Sequence, residues 1–549
     1  MNKTIKLGLL LSISIAIFTT GCNFSTKKKP VNAISTNARE YTVESLEGLD
    51  SYINGVLKDW DIPGVAVAVV SKDRLLFAKG FGIKQIGSDA RIDEHTLFQI
   101  GSTSKAFTAA ALGILVQEGK LSWDDPVFEH LPWFKLSDPV RTREVTIRDL
   151  LAHRTGVADD MGYALAIFNE EEAMQRLDLL DNSIPFRQQF EYSNFMYGVA
   201  GQVVAKVSGM SWGEFVQAQI FKPLSMKSSY TSAYDVWGAR YIAPTFAGTA
   251  SAGKVGIEQA LDHNVSMPHG HDRNEGRKVL PWQSYDNLAA GGTIVSNVLD
   301  MSRWLRLMVS GGNLEGKHIL DKSTVKELLT PQIAVAKKAF IYSDDKTSHG
   351  LGWNLTHIEG HSYAFHGGAI FGFPAYAALA PDDGIGVIVL SNGNASNQQY
   401  LPHQQITAWV LEHLLGLKAR DWRAEALLVG EESTRKFKEM ENKRVEDRLL
   451  HTKPSLPLSQ YAGDYTRDMT GPLSIEMNNE GLLRLYFRGE GAFSGTLEHW
   501  QNDTFRLFWD GGDGGPNYGS SFLTFKLDSQ GLPSVLDAGI LGKYTRISD

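Results

Sequence analysis

The sequence predicts an α+β protein in two parts: a two-layer α/β domain on an antiparallel sheet, then a small antiparallel β-barrel or sandwich. Three observations predict it. β-Rich runs at 65–70 and 75–77 are matched by a second pair at 376–380 and 385–390, with helical periodicity between and after them. Residues 418–453 hold 18 charged residues in 36, against 21% for the whole chain, and divide it in composition. Beyond Pro454, short alternating runs follow one another between Gly- and Asp-rich turns. The 43% hydrophobic content of 549 residues excludes a disordered or fibrous chain. A net charge of −8, from 54 basic and 62 acidic residues, offers no grip on nucleic acid. The single cysteine, Cys22, excludes an internal disulfide and a thiolate-rich metal site. Oxygen and nitrogen chemistry must carry the function.

Taken in order, residues 1–22 read as a signal peptide: Lys3 and Lys6, an apolar run at 7–18, then Thr19-Thr20-Gly21-Cys22. The apolar run is too short to span a bilayer as a helix. It resembles a bacterial lipoprotein signal, whose lipobox ends in Gly-Cys, and that resemblance implies lipidation of Cys22 and a membrane anchor. Thr19 stands where leucine is usual. Residues 23–37, with Lys27-Lys28-Lys29, read as a flexible tether, and Asn23 after the cysteine resembles outer-membrane sorting. The α/β domain is placed at 38–417. Leu46, Leu49, Ile53, Val56 and Leu57 recur at helical spacing from Glu44. The two hairpins turn at Ser71-Lys72-Asp73-Arg74 and Pro381-Asp382-Asp383-Gly384, and a helical pattern runs from 404 to 415. Residues 418–454 form a charged linker or solvated helix. Residues 455–549 form the barrel, with strands at 473–477, 482–487, 504–509, 521–527 and 543–547.

Gly101-Ser102-Thr103-Ser104-Lys105 precedes the alanine-rich stretch 106–116, which puts Ser102 at a helix N-terminus with Lys105 three residues on and on the same side. Serine needs an adjacent base, and a desolvated lysine loses proton affinity and can share that task. Taken alone, a serine cap with a nearby lysine is commonplace. Two further segments change the weighing: Glu191-Tyr192-Ser193-Asn194 ahead of a helical stretch at 195–207, and His366-Gly367-Gly368-Ala369 just before the second hairpin.

These three elements, in this order, resemble the serine β-lactamase and penicillin-binding-protein superfamily, in its class C-like branch. That branch carries Ser-x-x-Lys, Tyr-x-Asn and Lys/His-x-Gly. Phe-Gln-Ile-Gly-Ser-Thr-Ser at 98–104, Leu-Leu-Ala-His-Arg-Thr-Gly at 150–156 and Gly-Leu-Gly-Trp at 350–353 add to the resemblance, which covers 46–415. It implies a β-lactamase/transpeptidase-like domain with a central antiparallel sheet and a helical subdomain. It makes Ser102 the acylated nucleophile, Lys105 and Tyr192 the general-base pair, and Asn194 the group that orients Lys105 and the substrate amide. His366, Gly367 and Gly368 would orient substrate. The N–H groups of Ser102 and Ala369 would form an oxyanion hole, at about 3 kcal/mol per donor. A phenol serves as base only if cations depress it, so Lys105 and Tyr192 stay open as alternatives for the proton. The implied activity is a serine hydrolase for small esters, amides or D-amino-acid peptides, with water as final acceptor and no cofactor or metal. Tyrosine at 192 argues against the separate glutamate-driven deacylation of class A enzymes.

The third motif departs from the Lys-Thr-Gly of penicillin-targeted members. A neutral histidine and Gly367 weaken carboxylate anchoring, which argues against strong β-lactamase activity. A β-lactamase or DD-peptidase remains the alternative enzyme. A penicillin-binding or sensor protein that does not turn over is the alternative of another class.

Other signals read as structural. Gly209-Met210-Ser211-Trp212-Gly213 matches Gly-x-Ser-x-Gly, but a helical pattern precedes it and Ser211 reads as an N-cap. His263, His269 and His271, with Asp262 and Asp272, fit no metal-ligand spacing and read as a surface loop. His153 reads as a brace for the loop behind the site, and Trp282 and Trp353 as core. Leu-Pro-Leu-Ser-Gln-Tyr-Ala-Gly-Asp at 456–464 resembles the start of the lipocalin-like domain often appended to this family. With His499 its one histidine, that domain carries no catalytic set, and it limits access to the cleft or mediates assembly. The partners implied are a small-molecule or peptide substrate and, through the lipid anchor, the bacterial cell envelope, with no nucleic acid. The sequence leaves the oligomeric state open.

Overall fold

Every residue of the strand Gly64–Ser71 is buried, because both faces of its sheet are covered and both of its edges are paired. In this computed structural model the described residues are 41–159, 168–237, 264–272, 276–336, 346–395, 400–487, 494–510 and 521–547. The signal, the tether and Cys22 lie outside them. The sheet has eight strands in the order Leu75–Gly82, Gly64–Ser71, Ile385–Ser391, Phe373–Ala380, His361–Ile370, Asn354–Ile358, Thr347–His349 and Ile333–Val335. All neighbours are antiparallel. Val65 opposes Ser391 and Val69 opposes Val387, so the second hairpin docks on the first, and strands from the two ends of the domain close one sheet.

Side-chain alternation sorts the two faces. Val65, Val67 and Val69 pack with the helices Leu49–Asp59 and Leu401–Leu415. Ala66, Ala68 and Val70 belong to the larger core, which takes in the helices Lys105–Gln117, Asn194–Ser208 and Val298–Val309. The α+β expectation with its central antiparallel sheet holds, and helices cover both faces of that sheet rather than one. The first helix starts later than its periodicity implies. Glu44–Leu46 is a separate 3-10 turn, and Gly48, at φ 93°, breaks the chain before Leu49.

The charged run is a helix, Trp422–Glu446, capped by Asp421, which accepts from the Ala424 N–H at 3.1 Å. Beyond it eight antiparallel strands close a barrel, sealed where Tyr465 pairs with Arg546. Leu473, Leu485, Phe505, Leu523 and Tyr544 fill its interior. Three of its strands, Gly463–Arg467, Ser494–Gln501 and Pro533–Asp537, have no counterpart in the sequence reading. The barrel is stitched to the first domain: Met469 is buried in the large core, Phe371 packs against the barrel core, and Arg176 Nε donates to the Asp468 carbonyl at 3.1 Å.

Candidate active site

Residues 101–104 wind a 3-10 turn that runs directly into the helix Lys105–Gln117. Ser102 is half-buried while Lys105 is fully buried. Gly101 makes the turn possible, at φ 52°; a Cβ there would lie 2.4 Å from the Ala369 nitrogen. Across the cleft the helix Asn194–Ser208 begins, and the extended residue Ser193 before it brings Tyr192 back over the turn.

The Lys105 ammonium donates to Ser102 Oγ at 3.2 Å, to Asn194 Oδ1 at 2.7 Å and to the Gly291 carbonyl at 2.7 Å. Three N–H groups thus meet three acceptors. Tyr192 donates its hydroxyl to Ser102 Oγ at 2.8 Å. Lys105 Nζ lies 4.9 Å from the Tyr192 ring centre and 5.2 Å from that of Tyr197. Burial brings Lys105 down to about 7, against a partial lift from the Asp159 carboxylate. Burial pushes the Tyr192 phenol well above its ordinary value, and the bond to Ser102 offsets this in part. The phenol is therefore held protonated rather than depressed by the lysine.

The third motif supplies backbone. The strand His361–Ile370 pairs with Asn354–Ile358 as far as Phe365, and from His366 to Ile370 that edge turns toward the serine turn. A Cβ on Gly368 would lie 2.0 Å from the Ile100 carbonyl oxygen and 3.0 Å from the Ser102 nitrogen. Glycine there lets the two backbones that carry the Ser102 and Ala369 N–H groups adjoin. Gly367 lies under Tyr400, whose ring carbon would be 2.9 Å from a Cβ at that position. His366 itself is buried behind Tyr192. Its Nδ1–H donates to the Gly367 carbonyl at 2.6 Å, and burial with the nearby lysine lowers it to about 3. It brings no positive charge to the cleft.

Sequence reasoning missed four participants. Asp159 accepts from the Asn194 backbone N–H at 3.0 Å and from its Nδ2 at 2.7 Å. Gly291 holds one lysine proton, Tyr400 covers Gly367, and His349 sits between His153 and His366, with ring centres 5.0 and 6.2 Å away. Of these, Gly291 carried a signal, the Gly-Gly pair at 291–292.

The remaining sequence candidates fall elsewhere. His153 Nδ1 accepts from the Ser193 N–H at 3.0 Å, with its ring 4.4 Å from Tyr192, so it braces the tyrosine from behind. Ser211 caps Trp212–Val216 in a capping box with Glu214, after a helix rather than a strand. His269 corrects the surface-loop expectation. It is buried in a short strand, accepts from the Ile86 N–H at Nε2, and meets the Asn392 carbonyl through Nδ1. Asp262 and His263 lie outside the described residues. Trp282 and Trp353 are core, as expected.

The β-lactamase family pattern matches residues 49–407, which includes every site residue above. The chain belongs to the β-lactamase family of serine hydrolases. A second match, at 447–538, is a domain of unknown function, DUF3471, and covers most of the barrel. This β-lactamase-family chain is 27% identical to the unguisins hydrolase of Aspergillus violaceofuscus over 495 residues, which cover 82% of this chain and 80% of the other. It is 25% identical to protein Flp of Staphylococcus aureus over 383 residues, 68% of this chain and 66% of that one. Among solved structures, the octameric penicillin-binding protein homologue from Pyrococcus abyssi shares the fold with a TM-score of 0.56 at 22% identity, covering 91% of this chain and 99% of the other. SurE does so with a TM-score of 0.52 at 18% identity, covering 92% and 99%.

Proposed function

We propose that the protein hydrolyses small esters, amides or D-amino-acid peptides through an acyl-enzyme on Ser102, in the manner of the class C-like branch. One observation carries the reading: the acceptor set around Lys105. When the amine is neutral it keeps two N–H groups, and Asn194 Oδ1 and the Gly291 carbonyl hold both. Its lone pair is then aimed at Ser102 Oγ. Near pH 7 a large share of Lys105 is neutral, so Lys105 is the base and Tyr192 the proton donor.

Acylation begins when Lys105 Nζ takes the serine proton as Oγ bonds to the substrate carbonyl carbon. The N–H groups of Ser102 and Ala369 stabilise the oxyanion. The leaving group departs with a proton relayed through Tyr192. Water then gives its proton to Lys105 as it bonds to the acyl carbon, the bond from that carbon to Ser102 Oγ breaks, and Oγ takes the proton back from Lys105. The relative named a hydrolase supports hydrolysis as the outcome rather than silent binding.

His366, uncharged at neutral pH, supports the ester, amide or peptide reading over β-lactam hydrolysis, because it offers a substrate carboxylate no cation. A panel of a p-nitrophenyl ester, a D-amino-acid p-nitroanilide and a chromogenic cephalosporin tests this. Turnover of the first two, with the cephalosporin at least about a hundredfold slower in kcat/KM, is expected, an interval of about 2.7 kcal/mol. Preferred turnover of the cephalosporin overturns it. We further propose that Cys22 is lipidated and tethers a periplasmic or surface-exposed enzyme, with a lipocalin-like barrel at its C-terminus. Loss of membrane fractionation in Cys22→Ala checks the anchor.

A further inference from the structure

Asn194 is the hinge of the lysine geometry, and an amide can present either end to a neighbour. Its oxygen and its NH2 are nearly the same shape, so the groups around it decide which end faces where. Toward Lys105 it presents Oδ1, at 2.7 Å, and toward Asp159 it presents Nδ2, at 2.7 Å. An ionised carboxylate only accepts hydrogen bonds. Asp159 therefore selects the NH2 end and leaves the carbonyl end for the amine. If the amide turned over, its NH2 would point at the lysine nitrogen and compete with Ser102 for the lone pair.

We propose that Asp159 is a positioning residue for Lys105, acting through Asn194: its carboxylate fixes which end of the amide meets the amine and places one negative charge behind it. This rests on the reading of Lys105 as the base for Ser102. The groups facing Lys105 from the surrounding elements are Ser102, the Tyr192 and Tyr197 rings, and the imidazoles of His153, His349 and His366. Burial keeps the three imidazoles neutral and Tyr192 and Tyr197 protonated. Among the described residues Asp159 is the one charge that acts on the lysine, and it lifts the lysine's proton affinity against burial. Burial in turn raises Asp159 to about 7, with Asn194 and Lys105 opposing that rise, so the carboxylate carries its charge and selects the NH2 end above about pH 7, where both of its oxygens accept from Asn194. The carboxylate also accepts from the N–H at the start of the helix Asn194–Ser208, so a helix-capping role has to be separated from an electrostatic one.

Asp159→Asn separates them, since it retains an acceptor for the helix start and removes the charge, and Asp159→Ser removes the charge with a shorter side chain. The second-order rate of fluorophosphonate labelling is measured against pH in the full chain, with the labelled residue mapped. The expected result is that the acid limb moves to lower pH by about one pH unit, because a lysine without the nearby anion gives up its proton more readily. The plateau rate is expected to fall about tenfold as the amide loses its fixed orientation. Labelling at Ser102 with the limb and plateau of the parent overturns the inference and leaves Ser102 and Lys105 standing. Failure of both variants to fold also overturns it, since Asp159 is then a structural cap. Absence of label at Ser102 in the parent removes the site reading, and this inference with it.

Discussion

At the scale of the residue, the site turns on one buried amine with three acceptors. Because Lys105 is held near 7 and works as a base when neutral, kcat/KM is expected to rise with pH through about 7 and to fall below it as the amine takes up a proton. A pH profile on a p-nitrophenyl ester checks the sign. Tyr192→Phe keeps the ring against His153 and removes the proton donor; a loss of about 10²–10⁴ in kcat with unchanged folding is expected. Ser102, Lys105, Tyr192 and Asn194 were legible because each lies in a short motif that opens a helix. Asp159, His349 and Tyr400 were not. They reach the site from separate loops and strands; Asp159 follows the segment 150–156 and His349 precedes the segment 350–353, yet neither segment marks its neighbour as part of the proton machinery. Gly367 and Gly368 were legible as close-approach glycines, whereas His366 needed the structure to show that it faces the protein interior.

At the scale of the element, the site is an agreement between a turn and a strand edge. Gly368→Ala would drive a Cβ to 2.0 Å from the Ile100 carbonyl and displace the backbone that carries Ser102. The expected outcome is a fall in kcat of about 10²–10³, the range for a lost oxyanion donor, with circular dichroism unchanged. The loop behind the cleft depends on Asp149. It is fully buried, takes Arg154 Nε at 2.5 Å and Arg187 Nη2 at 2.7 Å, and joins Thr146 in the capping box of the helix Ile147–Leu151. Removing it leaves two guanidinium groups without their carboxylate, so Asp149→Ala is expected to cost about 3–5 kcal/mol in urea unfolding. Helices and hairpins with a clear period were readable. Two of the three missed barrel strands show why they were not: Gly463–Arg467 carries one buried residue and Pro533–Asp537 opens on a proline, which leaves little alternation to read.

At the scale of the whole molecule, a sheet built from both ends of the domain brings the third motif beside the first. Ser102 and His366 are distant in the chain, yet the backbone at Gly368 meets the backbone at Ser102 in the fold. The barrel belongs to the same compact unit as the sheet, and Met469 from its first hairpin is buried in the hydrolase core. Met469→Ala is therefore expected to cost about 2–3 kcal/mol in the unfolding of the first domain, although the substitution lies in the second. A urea titration followed through esterase activity checks this. The charged run itself was readable from composition, and it forms the helix Trp422–Glu446. The docking of the barrel was not, since Phe371 and Met469 are single apolar residues in turns, and each gains its partners only in the folded protein.

All of this depends on Ser102 carrying the acyl group, and the most direct test is peptide mass mapping of the full-length protein after reaction with a fluorophosphonate probe, beside Ser102→Ala. The predicted result is a single adduct on the peptide that contains Ser102, absent from the variant. An adduct on another residue, Ser211 above all, that persists in Ser102→Ala would contradict it.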